Sequence, residues 1–262
     1  AQGAVSARPK MEAAVQGEES CGAQKPAAAA AHLKARKKLD EHGRYLRYPG
    51  ITTVCQVPPA SIEAVLSGLP AAVRQLPGVG EWFAPLPAAS YHVTVVDICT
   101  QYQRELGEEA WGSLLAHSCW AEASALFERA AFAPSLRLKE VNLTYTHAKL
   151  LLIVELEPAG PADREGLIAA MREILEPTIG EIKEPYVWHL TLAYGLPQLE
   201  RHGPLAPEAL EAGREAARRL VEEAFGGFEG GELPLEPARL CAFNDMTAFV
   251  PWNGIDPVRD LL

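Results

Sequence analysis

The chain reads as an α+β protein rather than a regular doubly wound sheet. Strand signals come in hairpins: residues 136–144 alternate apolar and polar side chains, and 148–156 follow after a tight connection at Thr146-His147. Stretches rich in Ala, Leu and Glu, helical in composition, separate the strand groups. Two further strands repeat one pattern, Tyr91-His92-Val93-Thr94-Val95 and Trp188-His189-Leu190-Thr191-Leu192.

Taken in order, residues 1–31 are Ala-rich, of low complexity and without apolar periodicity, and are expected to form a flexible arm. A short helix is expected over 31–39, with Gly43 and Pro49-Gly50 marking turns. The β-branched run Ile51-Thr52-Thr53-Val54 predicts a strand over 51–57, ended by Pro58-Pro59. Residues 61–66 read as a short helix capped by Ser61, and Pro70 and Pro77-Gly78 then break the chain before the first motif. Residues 105–131 read as helix, broken near Ser118, with Trp111 and Trp120 as core residues. After the hairpin, whose tip is His147, a helix over 161–175 shows Leu167, Ile168, Met171, Ile174 and Leu175 on one side. Pro185 precedes the second motif strand, and an amphipathic helix over 207–225 stops at Gly226-Gly227. Strands at 240–243 and 246–250 flank a turn at Asn244-Asp245.

In a strand, alternate side chains point to opposite faces. His92 and Thr94 therefore share one face, and Tyr91, Val93 and Val95 the other; His189 and Thr191 separate from Trp188, Leu190 and Leu192 in the same way. Each strand would bury its apolar face and present an imidazole and a hydroxyl to a shared cleft. With 7 His, 9 Thr and 48% hydrophobic residues, chance supplies about 0.06 His-apolar-Thr-apolar matches per chain. His32, His42, His117, His147 and His202 all fail the pattern. Continued alternation puts Tyr194 with the core-facing residues and Asp97 opposite His92, where a strand-end turn or cap explains it as well as a role in the site does.

Composition narrows the function classes. A charged fraction of 22% is that of a globular protein, and no apolar run approaches the ~18 residues that span a bilayer. A formal charge of −10 argues against long nucleic acid as a partner, although a local positive pocket can still take a small phosphate ester. Lys34, Arg36, Lys37, Lys38, Arg44 and Arg47 cluster before the first strand and are read as a solvated helix end. Five scattered cysteines without a Cys-x-x-Cys pair favour a reducing compartment, and His117-Ser118-Cys119 lacks the spacing of a zinc site. Ala1 in place of Met suggests a processed start, while Glu12, Glu18 and Glu19 do not suit a transit peptide; a soluble intracellular protein, cytoplasmic or organellar, is expected.

The paired motifs, with 189 − 92 = 97 residues between their histidines, resemble those of the two-histidine (2H) phosphoesterases. Asp40-Glu41-His42-Gly43-Arg44, Tyr48-Pro49-Gly50 and the run from Tyr91 to Asp97 are similar to a poorly characterised branch of that superfamily, the likeness extending over about 38–250. The resemblance implies one catalytic domain over 32–262, made of two α+β lobes facing each other across a cleft, roughly 38–145 and 146–262. It implies His92 and His189 as the catalytic pair, Thr94 and Thr191 as phosphate contacts, and a cyclic phosphate or nucleotide as the small-molecule substrate.

Elementary chemistry agrees with those roles. Histidine exchanges protons near neutral pH, so one imidazole can deprotonate an attacking water while the other protonates a departing sugar oxygen. The Thr hydroxyls can donate to phosphoryl oxygens, and no metal or other cofactor is required. The approximate symmetry of the motifs leaves open which histidine is the base. The leading expectation is a metal-independent phosphodiesterase opening a 2′,3′-cyclic nucleotide or related cyclic phosphate. A nucleotide- or phosphometabolite-binding module without turnover and an RNA end-processing or ligating enzyme are the alternatives.

Overall fold

The computed structural model describes residues 38–146, 149–160, 163–182 and 187–253. Expectations for residues 1–31, for the tip residue His147 and for Pro185 lie outside them. Among the described residues, nine strands form one antiparallel sheet: β1 (Gly50–Gln56), β2 (Phe83–Pro85), β3 (His92–Thr100), β4 (Leu136–Thr146), β5 (Lys149–Pro158), β6 (Trp188–Gly195), β7 (Glu232–Leu233), β8 (Arg239–Phe243) and β9 (Val250–Pro251). Their order is β7-β4-β5-β6-β3-β1-β8-β9, with β2 paired to β6.

The two motif strands β3 and β6 are neighbours, but only one residue pair, Val93 with Leu190, joins them. Beyond it β6 turns to β2, so the sheet opens along this seam. The two sides of the seam are not the two halves of the chain. β8 and β9, from the C-terminal third, lie on the side of β1 and β3, while β4 through β7 lie on the other with β2. The expected division at 145/146 instead falls inside the β4–β5 hairpin, whose register runs from Leu136 opposite Pro158 to Thr146 opposite Lys149.

The helices follow the apolar periodicity. α1 (Leu69–Val73) precedes the first motif, and α2 (Glu108–Leu115) and α3 (Cys119–Ala130) divide at the expected break. The break is held locally: the His117 imidazole accepts from the Cys119 amide at 3.2 Å, and Trp120 Nε1 donates to Leu114 O at 2.7 Å. α4 (Arg164–Ile179) is capped by Asp163, which accepts from the Gly166 amide at 2.9 Å, and buries Leu167, Ile168, Met171 and Leu175. α5 (Leu199–His202) is a single turn, and α6 (Pro207–Gly226) lays its buried face, Leu210, Ala217, Val221 and Phe225, toward the body of the domain. Trp111 and Trp120 are fully buried, as their spacing suggests. Trp120→Ala removes both ring packing and the bond to Leu114 O, so equilibrium unfolding is expected to show a loss of about 3–5 kcal/mol.

Two local expectations are corrected. Ser61 does not cap a helix: a helical turn already spans Pro59–Ser61 and runs into a π-helix at Ile62–Leu66, because proline suits the first turn. Residues 246–249 form no strand. Asp245 Oδ1 accepts from both the amide and the hydroxyl of Thr247, at 2.7 and 2.6 Å, which prolongs the turn and leaves only Val250–Pro251 extended. Among the described residues, no helix is long and apolar enough to cross a membrane.

Candidate active site

A pocket of about 410 Å³ lies over the seam between the motif strands and is lined by His92, Thr94, His189 and Thr191 together. The antiparallel register explains why. With Val93 opposite Leu190, His92 is carried toward Thr191 and Thr94 toward His189, which makes a floor with each imidazole beside the other strand's hydroxyl. The opposite faces are buried as alternation requires, with Tyr91, Val93, Leu190 and Trp188 between 0% and 7% exposed.

Each imidazole is oriented in the same way. His92 Nδ1 lies 2.7 Å from Ser90 O, and His189 Nδ1 lies 3.2 Å from Val187 O, in both cases the carbonyl two residues earlier. A carbonyl only accepts, so Nδ1 carries the hydrogen and Nε2 keeps its lone pair in the neutral ring. The His92 ring also packs against Phe249 with centroids 3.9 Å apart. Burial pushes the His92 pKa down to about 4, with the charges of His189 and Lys38 acting in the same direction and the Ser90 carbonyl opposing. His189 is lowered as well, again chiefly by burial; Lys38 and Arg164 add to the effect, while Val187 O and Glu155 oppose it. The Thr94 and Thr191 hydroxyls make no hydrogen bond among the described residues and line the pocket.

Two residues assigned to other surroundings by simple alternation line the pocket instead. In the β1–β3 register Val54 faces Thr94 but Thr53 faces Val96, which leaves Val95 as an extra residue. Val95 and Val96 are both buried, and the bulge rotates Asp97 onto the same side as Thr94. The second strand does the same: Ile153 faces Thr191 and Leu152 faces Ala193, so Leu192 is extra and Tyr194 comes onto the pocket side. The repeated unit is therefore His-x-Thr-x-x-Asp in one strand and His-x-Thr-x-x-Tyr in the other, with a bulge in each. The first bulge has built-in partners. Arg164 donates to Val95 O through Nη2 at 2.8 Å and Nε at 3.2 Å while its guanidinium lies 3.8 Å over the Trp188 ring, and Thr52 and Thr53 bond the Val96 peptide from β1.

Lys38 is the third residue that sequence reasoning placed elsewhere. It lines the pocket rather than a solvated helix end, with Nζ donating to Tyr194 Oη at 3.1 Å. Its cluster-mates behave as expected of surface charges: Arg44 pairs with Asp40 at 2.7 Å and Arg47 with Glu108 at 2.9 Å. Lys34, Arg36 and Lys37 lie outside the described residues. Among the described residues no group of three or more His, Cys, Asp or Glu side chains is placed to hold a metal ion. His117 serves the start of α3.

Residues 38–159 match the family model described as "2H-phosphodiest: Domain of unknown function (DUF1868)", a span that holds Lys38, the first motif and Asp97 and ends before the second motif. No curated protein matches the chain. Among solved structures, a conserved protein of unknown function from Agrobacterium tumefaciens is 18% identical over 82% of this chain and 89% of its own, with a TM-score of 0.54, and shares the fold. Kluyveromyces marxianus Usb1, solved with uridine monophosphate, is more distant: 13% identity, 78% of this chain, 98% of that chain and a TM-score of 0.43. Residues 38–159, just under half of the chain, are thus similar to the 2H-phosphodiesterase-like domain, and the whole described fold is of the kind seen in the Agrobacterium tumefaciens protein.

Proposed function

We propose that this protein is a phosphodiesterase that opens a 2′,3′-cyclic nucleotide or related small cyclic phosphate by acid/base catalysis between His92 and His189. The family points to phosphodiester chemistry as the class. The observation that carries the finer reading is the pairing of two Nδ1-anchored imidazoles, each beside an unpartnered threonine hydroxyl, over one pocket.

Two differences between the histidines support a division of roles. His92 is the more strongly biased to its neutral form and is the base: its Nε2 takes a proton from water as the water oxygen attacks phosphorus. His189 has Glu155 opposite it in the β5–β6 register, and that carboxylate favours the imidazolium. It is the acid, giving its proton to the ring oxygen as the P–O bond breaks. Thr94 and Thr191 donate to the non-bridging oxygens. One bond forms and one breaks, and solvent returns the two histidines to their starting states.

This assignment has a pH signature. kcat/KM reports the free enzyme, so activity is expected to rise as pH increases through about 4, where His92 loses its proton, and to fall as His189 loses its own below the ordinary value of about 6.5. The optimum for kcat/KM should be acidic. Because a bound phosphate anion favours both imidazolium forms, the profile of kcat should lie at higher pH than that of kcat/KM. Coincident profiles centred above pH 7 would contradict the assignment.

The direct test is a screen of the four nucleoside 2′,3′-cyclic phosphates with product analysis by mass spectrometry, with and without EDTA. Conversion to a single phosphomonoester isomer that is insensitive to EDTA is expected. Saturable binding by calorimetry without any product would identify a binding module instead.

A further inference from the structure

Lys38 is brought to the pocket by a segment folded for the purpose. Leu39 is 3% exposed and bridges to Tyr45; the Asp40 amide bonds Arg44 O at 2.9 Å and the Leu46 amide bonds Lys38 O at 2.9 Å. Tyr45 Oη then donates to Ala84 O at 3.0 Å, and Ala84 is the β2 residue opposite Tyr194. The turn is thereby fastened beside the end of the second motif strand. From there the ammonium sits 4.6 Å from the Tyr194 ring centroid and 5.5 Å from that of Tyr48.

Two rings and one phenol oxygen leave that ammonium without a counter-charge. No carboxylate lies within salt-bridge distance of it among the described residues: Asp40 belongs to Arg44, and Asp97, which lines the same pocket, is not close enough to pair with it. Lys38 lines the same pocket as His92 and His189, and its charge acts on both imidazoles. Two imidazoles working on one displacement require the phosphorus to lie in that pocket. A lysine held only by ring faces needs neither the pocket position nor the absence of an acid.

We propose that Lys38 is a third contact to the reacting phosphoryl group, its ammonium meeting a non-bridging oxygen that the two threonines do not fully serve. The inference rests on the phosphodiesterase reading above and deepens it. In the in-line displacement, negative charge gathers on the non-bridging oxygens as the fifth bond to phosphorus forms. A fixed cation in a half-enclosed pocket stabilises that arrangement more than the ground state. Lys38 is then a catalytic residue supplied from outside both motifs, and it gives a strongly acidic protein a local site for an anion.

The test uses Lys38→Met, which removes the charge at similar side-chain length, and Lys38→Arg, which restores the charge. Both are measured by kinetics on the cyclic nucleotide turned over fastest and by calorimetry with inorganic phosphate and with orthovanadate, whose five-coordinate form imitates the displacement. Lys38→Met is expected to lower kcat by about 10²-fold and to weaken orthovanadate more than phosphate, with an unchanged melting temperature, while Lys38→Arg recovers most of each loss. Turnover within threefold of wild type, or unaltered affinity for both anions, would overturn the proposal. If the wild type opens no cyclic phosphate, the reaction assignment fails and the calorimetric arm decides alone: phosphate affinity lost in Lys38→Met upholds the anion contact, and affinity retained removes it. Should Lys38→Met fail to fold, Lys38→Gln replaces it in the same measurements.

Discussion

His92→Ala and His189→Ala are each expected to lower kcat/KM for a cyclic phosphate by about 10²–10⁴-fold. Each deletion removes one end of a proton relay, and the other end cannot substitute for it because the base must be neutral at the same moment as the acid is protonated. The double substitution should therefore cost scarcely more than the worse single one, since a base without an acid leaves the departing alkoxide unprotonated. The structural consequences of the two changes differ. His92 packs against Phe249 and ties its Nδ1 to Ser90 O at 2.7 Å, so alanine leaves a gap and an unpaired carbonyl there. His189 is half-buried with a longer bond, 3.2 Å, to Val187 O, and its removal should be milder for the fold. Thermal melting beside the kinetics separates the two effects. Turnover retained by either alanine variant would remove the acid/base assignment whatever the stability.

Thr94→Val and Thr191→Val carry the second-largest expectation, a fall in kcat of about 10²–10³-fold in each with little change in stability. The reasoning is isosteric. Valine keeps the β-branched shape that suits a strand, and neither hydroxyl has a protein partner among the described residues to leave unsatisfied. If these hydroxyls held the fold, the valine variants would melt earlier and bind phosphate normally. If they hold the phosphoryl group, the variants keep their melting temperature and lose phosphate affinity. Thr94→Ser and Thr191→Ser, which keep the donor, should recover most of the activity.

The residues that sequence reasoning placed correctly are those whose surroundings are set by their own strand. His92, Thr94, His189 and Thr191 are separated from Tyr91, Val93, Trp188 and Leu190 by the two-residue period, and the structure follows that separation on both strands. The helix break near Ser118 and the buried faces of α4 and α6 were legible for the same reason, since each follows from side chains one or two turns apart. Asp97 and Tyr194 were not legible. A bulge is a mismatch between two strands, and neither strand alone records it: Val95 is surplus only because Thr53 and Val54 of β1 face Val96 and Thr94, and Leu192 only because Leu152 and Ile153 of β5 face Ala193 and Thr191. The one faint signal was the apolar doublet Val95-Val96, and its counterpart Leu192-Ala193, breaking strict alternation.

By itself, the amino-acid sequence determined the local chemistry of this protein: which side chains share a face, where helices stop, and that two imidazole–hydroxyl pairs recur far apart along the chain. Only the tertiary structure decided that β3 and β6 meet at a single pair, that bulges bring Asp97 and Tyr194 to the same opening, and that a turn pinned through Tyr45 delivers Lys38 there. The physical reason is range. Alternation and helical period act between neighbours within a few residues, whereas register, bulges and the position of an isolated charge depend on contacts between segments that are 40 to 160 residues apart, such as Thr53 with Val96 and Lys38 with Tyr194.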